Sequence, residues 1–235
     1  MGSAAKGAVK EMHILNGLAL LLSYTAGSVS FPALIARRAG VDLRLAGSRK
    51  LGGSNLARTV GVRAGVAGGL LDGAKGAAAF LGAQAAGLGM EAALACGLAA
   101  VAGQVWPVFH RFDGGRGNAT GWGLALVADP PAAVAMAIPI AAALGLRELV
   151  RPRPTRLLPL AALLSFAVWP AVIWEQQGLT AHVVAGVALL ALILIRRITA
   201  GLRADLATGA PALRVLVRRA LYDRSELQHR GLVAL

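Results

Sequence analysis

The chain has 235 residues, 57% of them hydrophobic and 15% charged, with a formal net charge of +13. So large an apolar share excludes an ordinary soluble domain of this size and points to an integral membrane protein. The positive charge does not signal nucleic acid, because the basic residues gather between apolar runs with no aromatic side chains interleaved for base stacking.

In chain order the apolar runs predict about seven transmembrane helices, over residues 14–35, 64–81, 92–109, 118–128, 132–146, 157–174 and 179–195. The first carries no charge and is long enough to span, so it reads as a retained helix rather than a cleaved leader. The fourth is the shortest: its 11 residues cover only about 16 Å of a roughly 30 Å hydrocarbon core. Counting it as a crossing places the basic loops and the C-terminal tail on one side, with only Asp129 and Glu175 in the opposite loops. The positive-inside rule makes that basic side cytoplasmic. The expected fold is all-α and polytopic: a helical bundle over residues 1–200, with loops at about 36–63 and 110–120, and a basic cytoplasmic tail at 201–235. In the tail, Leu213, Leu216, Val217, Ala220 and Leu221 recur at helical spacing opposite Arg214, Arg218 and Arg219. That pattern fits a helix lying on an anionic leaflet, or equally a solvated helix.

Candidate chemistry concentrates in the two loops. The first contains Arg44, Gly47, Ser48, Arg49, Lys50, Gly52, Gly53, Ser54, Asn55 and Arg58. Glycines let backbone N–H groups turn toward an anion, and the interleaved cations and hydroxyls add donors. The second crowds Gly114, Gly115 and Gly117 around Arg116, just before a helix expected to start near Asn118, whose free N–H groups would join the same anion site. Within the second span Asp72 and Lys75 stand at i and i+3, on one helix face, either as a structural ion pair or as substrate-positioning groups. The histidines lack cysteine or carboxylate neighbours at metal-ligand spacing; His110, beside the second loop, is the one placed to serve as a base. Cys96 is alone in an apolar run, which suits a small core residue.

At these residues the chain resembles the bacterial membrane glycerol-3-phosphate acyltransferases of the acyl-phosphate-dependent type, the PlsY family. Gly27-Ser28, Phe31, Arg44, Gly47-Ser48, Gly52, Ser54-Asn55 and Arg58 follow its first motif, roughly Gly-Ser-Gly-Asn-x-Gly-Ala-Thr-Asn-x-x-Arg. Leu71-Asp72-Gly73-Ala74-Lys75-Gly76 matches its Leu-Asp-x-x-Lys-Gly, and residues 103–120, with Pro107, Phe109, Phe112 and Gly114-Gly115-Arg116-Gly117, match its second motif. The resemblance implies transfer of a fatty acyl group from acyl phosphate to the 1-hydroxyl of glycerol 3-phosphate, giving lysophosphatidic acid without metal, cofactor or acyl-enzyme. It implies Ser48 and Arg58 as catalytic residues. Arg44, Gly47, Gly52, Ser54, Asn55, Asp72, Lys75, Gly114, Gly115, Arg116 and Gly117 would be substrate-binding, in a bacterial inner or plasma membrane with the lipid bilayer as surroundings. The sequence departs from the motifs at Arg49-Lys50, where they carry Gly-Asn, at Gln104 for histidine, at Arg116 for lysine and at Asn118 for valine. A third motif, His-Arg-x-Asn, is reduced to Arg196-Arg197. The alternative implied by these losses is a catalytically silent paralogue that binds an anionic lipid precursor or partner.

Overall fold

A computed structural model describes residues 3–149 and 157–223. Twelve α-helices are assigned among them: α1 (Ser3–Gly27), α2 (Phe31–Arg38), α3 (Gly53–Thr59), α4 (Val62–Ala85), α5 (Met90–Val105), α6 (Asn118–Ala128), α7 (Pro130–Ala135), α8 (Ala137–Leu149), α9 (Leu157–Gln177), α10 (Ala181–Thr199), α11 (Leu202–Leu206) and α12 (Ala212–Tyr222). Local chemistry sets several of the starts. Ser30 caps α2 and accepts from the Ala33 N–H, with Pro32 in the first turn, where its missing N–H costs nothing. Asp129 caps α7 through the Ala132 N–H ahead of Pro130, and Thr180 caps α10 through the Val183 N–H.

Five stretches of the described residues are long and apolar enough to cross a membrane: Val9–Arg38, Met90–His110, Pro130–Leu149, Leu157–Gln177 and Ala181–Thr199. They coincide with five of the seven expected spans. The other two fall on α4 and α6. The 24 residues of α4 reach about 36 Å, but Arg63, Asp72 and Lys75 dilute its apolar character. The 11 residues of α6 fall well short of the roughly 30 Å core, and the helix lies packed against α4, α5 and α10. Residues 150–156, with Arg151, Arg153 and Arg156 of the expected basic loop, and residues 224–235 of the tail lie outside the described residues.

The contact between α4 and α6 is backbone against backbone. A Cβ on Gly123 would stand 1.9 Å from the Gly73 carbonyl oxygen, and one on Gly76 would stand 2.1 Å from the Thr120 carbonyl oxygen. Small residues are what allow such an approach, and in a bilayer close van der Waals contact replaces the hydrophobic effect as the force between helices. Around this pair the largest buried cluster joins Val101 and Val105 of α5 to Phe166, Trp169 and Ile173 of α9 and to Leu189 and Ile193 of α10. Leucines such as Leu15, Leu18, Leu21 and Leu22 of α1 face outward, as lipid contact requires.

The tail differs from its expected pattern. Periodicity puts Arg219 on the outward polar face; in the structure it is buried, with Val215, on the face turned to the bundle. Its guanidinium donates to the Asp205 carboxylate at 2.7 Å and to the Gly201 carbonyl at 2.9 Å, and also bonds the Ala200 carbonyl. A fully paired arginine can be buried where an unpaired one cannot. The leucines Leu213 and Leu216, with Val217, are exposed instead.

Candidate active site

A cavity of about 830 Å³ opens where the C-terminal ends of α5, α8 and α10 meet the N-terminal ends of α4, α6 and α9. Its walls include Ser48, Lys50, Gly52, Ser54, Asn55 and Arg58 from the first loop and α3, and Gly115, Arg116 and Gly117 from the second loop. Asp72, Arg147, Arg197 and Asp223 complete its charged lining. Both glycine loops, the end of α8 and the end of α10 therefore share one face of the bundle. Of the expected site residues, Arg44, Gly47, Lys75 and Gly114 are not in the lining.

The first loop is built on Asn55. Its buried amide donates to the carbonyls of Leu43, Ala46 and Lys50, each at 3.1 Å, and its side-chain oxygen accepts from the Ser48 N–H at 2.8 Å. With its donors and acceptor so engaged, Asn55 shapes the loop that presents Ser48 and Lys50. Gly47 has φ +55, and a Cβ there would stand 2.3 Å from the Asn55 side-chain oxygen. Leu43, Leu51 and Leu56 form a small core beneath the loop. Arg49 adopts φ +56 at a position where the resembling motif carries glycine, a conformation that costs a β-carbon-bearing residue about 1 kcal/mol or more.

The second loop is pressed onto the first and onto α5. A Cβ on Gly115 would approach the Leu51 carbonyl to 2.8 Å, and one on Gly114 would reach the Gln104 carbonyl at 2.3 Å. From the far side Arg196 clamps the same loop, donating to the Gly114 carbonyl at 2.8 Å and the Gly115 carbonyl at 3.3 Å, and pairing with Asp113. Gly117, at φ +77, caps α6, so the first-turn N–H groups of that helix face the cavity beside Arg116.

Asp72 and Lys75 form the ion pair expected from their spacing, Nζ to Oδ1 3.0 Å, and both are buried. Gln104 closes the cluster: its Nε2 donates to Asp72 Oδ2 at 2.8 Å and its Oε1 accepts from Lys75. The ammonium also donates to the carbonyls of Gly27 at 3.0 Å and Val29 at 2.6 Å, so it ties α4 to the bend between α1 and α2. Thr120 of α6 donates to the Asp72 carbonyl at 2.9 Å. Lys75 thus looks away from the cavity and Asp72 toward it.

One residue that sequence reasoning did not single out, Asp223, also reaches the site. Asp223, just past α12, divides its carboxylate between Arg116 Nε at 2.6 Å and Lys50 Nζ at 2.8 Å. Burial alone would raise its pKa, but the charges of Arg116 and Lys50 outweigh that and hold it below the ordinary carboxylate value. Burial, joined by the charge of Arg116, lowers the Lys50 pKa to about 8, with Asp223 opposing. Arg197 donates to the carbonyls of Pro159 at 2.9 Å and Ala220 at 3.4 Å. Lys50 was visible as a cation at a first-motif position and Arg197 as part of the reduced third motif; Asp223 carried no such signal. His110 stands with Arg44, 2.7 Å from its guanidinium, outside the cavity lining.

Comparison with known proteins finds relatives in both sequence and structure. A glycerol-3-phosphate acyltransferase of Moorella thermoacetica is 37% identical over 185 residues, 78% of this chain and 89% of that protein. One from Dehalococcoides mccartyi is 42% identical over 132 residues, 55% of this chain and 57% of its own length. With that protein and others like it the match spans only half to about three-fifths of the relative's length. The crystal structure of PlsY, an integral membrane glycerol 3-phosphate acyltransferase, in its glycerol 3-phosphate form superposes with TM-score 0.68 at 27% identity, covering 86% of this chain and 98% of that one. Its lysophosphatidic acid form gives TM-score 0.66 at 26% identity, with the same coverage. Residues 17–204 match the family described as glycerol-3-phosphate acyltransferase, so on four-fifths of its length this chain belongs to that family.

Proposed function

We propose that this protein transfers a fatty acyl group from acyl phosphate to the 1-hydroxyl of glycerol 3-phosphate, releasing lysophosphatidic acid and inorganic phosphate at the cytoplasmic face of a bacterial inner membrane. The observation that carries this reading is the convergence of Lys50, Arg58, Arg116, Arg147 and Arg197 with two glycine loops and a helix N-terminus on one cavity. That is a cradle for phosphate. The two carboxylates in the lining, Asp72 and Asp223, are each held by cations, so neither is a free base. Catalysis then rests on alignment of the hydroxyl with the acyl carbon and on cationic stabilisation of the phosphate as its bond to that carbon breaks. Ser48 and Arg58, on the first loop and α3, are assigned to the reacting end of the cavity. Arg116, with the backbone of Gly115 and Gly117, is assigned to a substrate phosphate. Asn55, Gly47 and Gly114 are assigned to shaping the loops, and Lys75 to holding Asp72.

The test is direct. Inside-out membrane vesicles containing the protein, given acyl phosphate and glycerol 3-phosphate, should form lysophosphatidic acid without permeabilisation, whereas right-side-out vesicles should need it. Absence of product with both substrates present in permeabilised vesicles would leave the silent-paralogue reading in its place.

The depressed Lys50 pKa adds a pH signature. Below about pH 8 its ammonium is charged and contributes to phosphate binding; above that it is neutral, and a charge-assisted hydrogen bond worth about 1.5–3 kcal/mol is lost. The KM for glycerol 3-phosphate should therefore rise about tenfold or more as pH climbs from 7.5 to 9.5. Lys50→Arg, which stays charged throughout, should flatten that limb; an identical limb in the variant would assign the titration to another group.

A further inference from the structure

Asp223 lies 19 residues beyond the family-matched segment, which ends at residue 204. It ends an arm made of α11 and α12, whose base is fixed by the buried Arg219–Asp205 pair and whose main packing beyond the arm is on α9 and α10. Past the last turn of α12 the backbone takes φ +50 at Asp223, and the carboxylate turns into the cavity. One oxygen meets Arg116 and the other Lys50, while the Asp223 carbonyl also accepts from Lys50 at 3.1 Å. A carboxylate and a phosphate engage guanidinium and ammonium donors through the same paired-oxygen geometry. A second anion cannot enter the same pair of cations without strong repulsion at short range in a partly desolvated site.

We propose that Asp223 is a built-in competitor for the substrate phosphate: the carboxylate occupies the Lys50–Arg116 subsite in the resting protein and withdraws when a phosphate binds there. The proposal rests on the reading that this subsite takes a substrate phosphate. It also explains why an extra cation at Lys50, absent from the resembling motif, is accompanied by an extra anion outside the family segment. The competitor lowers apparent affinity by the fraction of time the subsite is free, and so excludes weakly held anions while admitting one that offers more charge and more acceptors.

The experiment is calorimetric titration of glycerol 3-phosphate into the full chain in nanodiscs. Asp223→Asn should bind about tenfold tighter than the parent, and Asp223→Ser should do the same if the asparagine variant is poorly folded. Asp113→Asn is the matched control, since it also removes one negative charge, from the exposed partner of Arg196 next to the second loop. It should shift affinity less than about threefold. Unchanged or weaker binding in the Asp223 variants would overturn the proposal by making Asp223 an organiser of the two cations. An equal gain in Asp113→Asn would overturn it in favour of general potential. Arg116→Ala separates the two levels: if it binds like the parent, the phosphate-site reading fails; if it loses binding while the Asp223 variants gain none, the competitor alone fails.

Discussion

Arg116→Ala should reduce kcat/KM for glycerol 3-phosphate by about 10²–10³-fold, the usual loss when one preorganised donor to a developing or transferred charge is removed. The reason is positional. The Arg116 backbone is fixed at the start of α6 by Gly115, which packs on the Leu51 carbonyl, and by Gly117, which turns the chain into the helix. Arg116→Lys should recover part of the activity, because the charge returns without the planar fork. Arg38→Ala is the control: Arg38 is exposed at the end of α2 and outside the cavity lining. Comparable losses in Arg116→Ala and Arg38→Ala, with both proteins folded, would show that overall positive potential rather than a defined cradle holds the substrate.

Lys75→Met should be the most destabilising single change, at about 3–5 kcal/mol, because it leaves Asp72 buried without its cation. It also frees the carbonyls of Gly27 and Val29 and the Gln104 side-chain oxygen, which the ammonium now satisfies. Adding Asp72→Asn to that variant should restore a good part of the loss, since no uncompensated charge then remains. Thermal unfolding midpoints in detergent measure both. A double variant no more stable than Lys75→Met would show that the carbonyl contacts, rather than the ion pair, make up the contribution. Activity of a folded double variant reports separately on Asp72, whose carboxylate reaches the cavity.

The sequence revealed most of the helical layout because hydrophobic length is a strong signal in a membrane protein. Helix α6 begins and ends where the short fourth run does, and Asp72 and Lys75 meet as their spacing requires. The same signal misplaced Arg219, since periodicity treats every arginine as polar surface and cannot foresee Asp205 and two carbonyls gathered around it. Gln104 was visible only as a departure from a motif; its junction between Asp72 and Lys75 depends on the packing of α5 against α4. Asp223 lay in a tail whose pattern spoke of a surface helix, and nothing local distinguished it from a solvated carboxylate. Its partners lie 107 and 173 positions away, a pairing that only the tertiary fold creates.

The glycine contact between α4 and α6 has a mechanical corollary. Where two helices touch through carbonyls and α-carbons, neither can rotate or slide by a turn without their backbones colliding, so α4 and α6 are held in one register. The opposite boundary of the cavity is made by Tyr222 at the end of α12, by Asp223 just past it and by the facing ends of α8 and α9, and Asp223 is held there only through the side chains of Lys50 and Arg116 among the ion pairs described. The cavity therefore has a fixed wall and a yielding one.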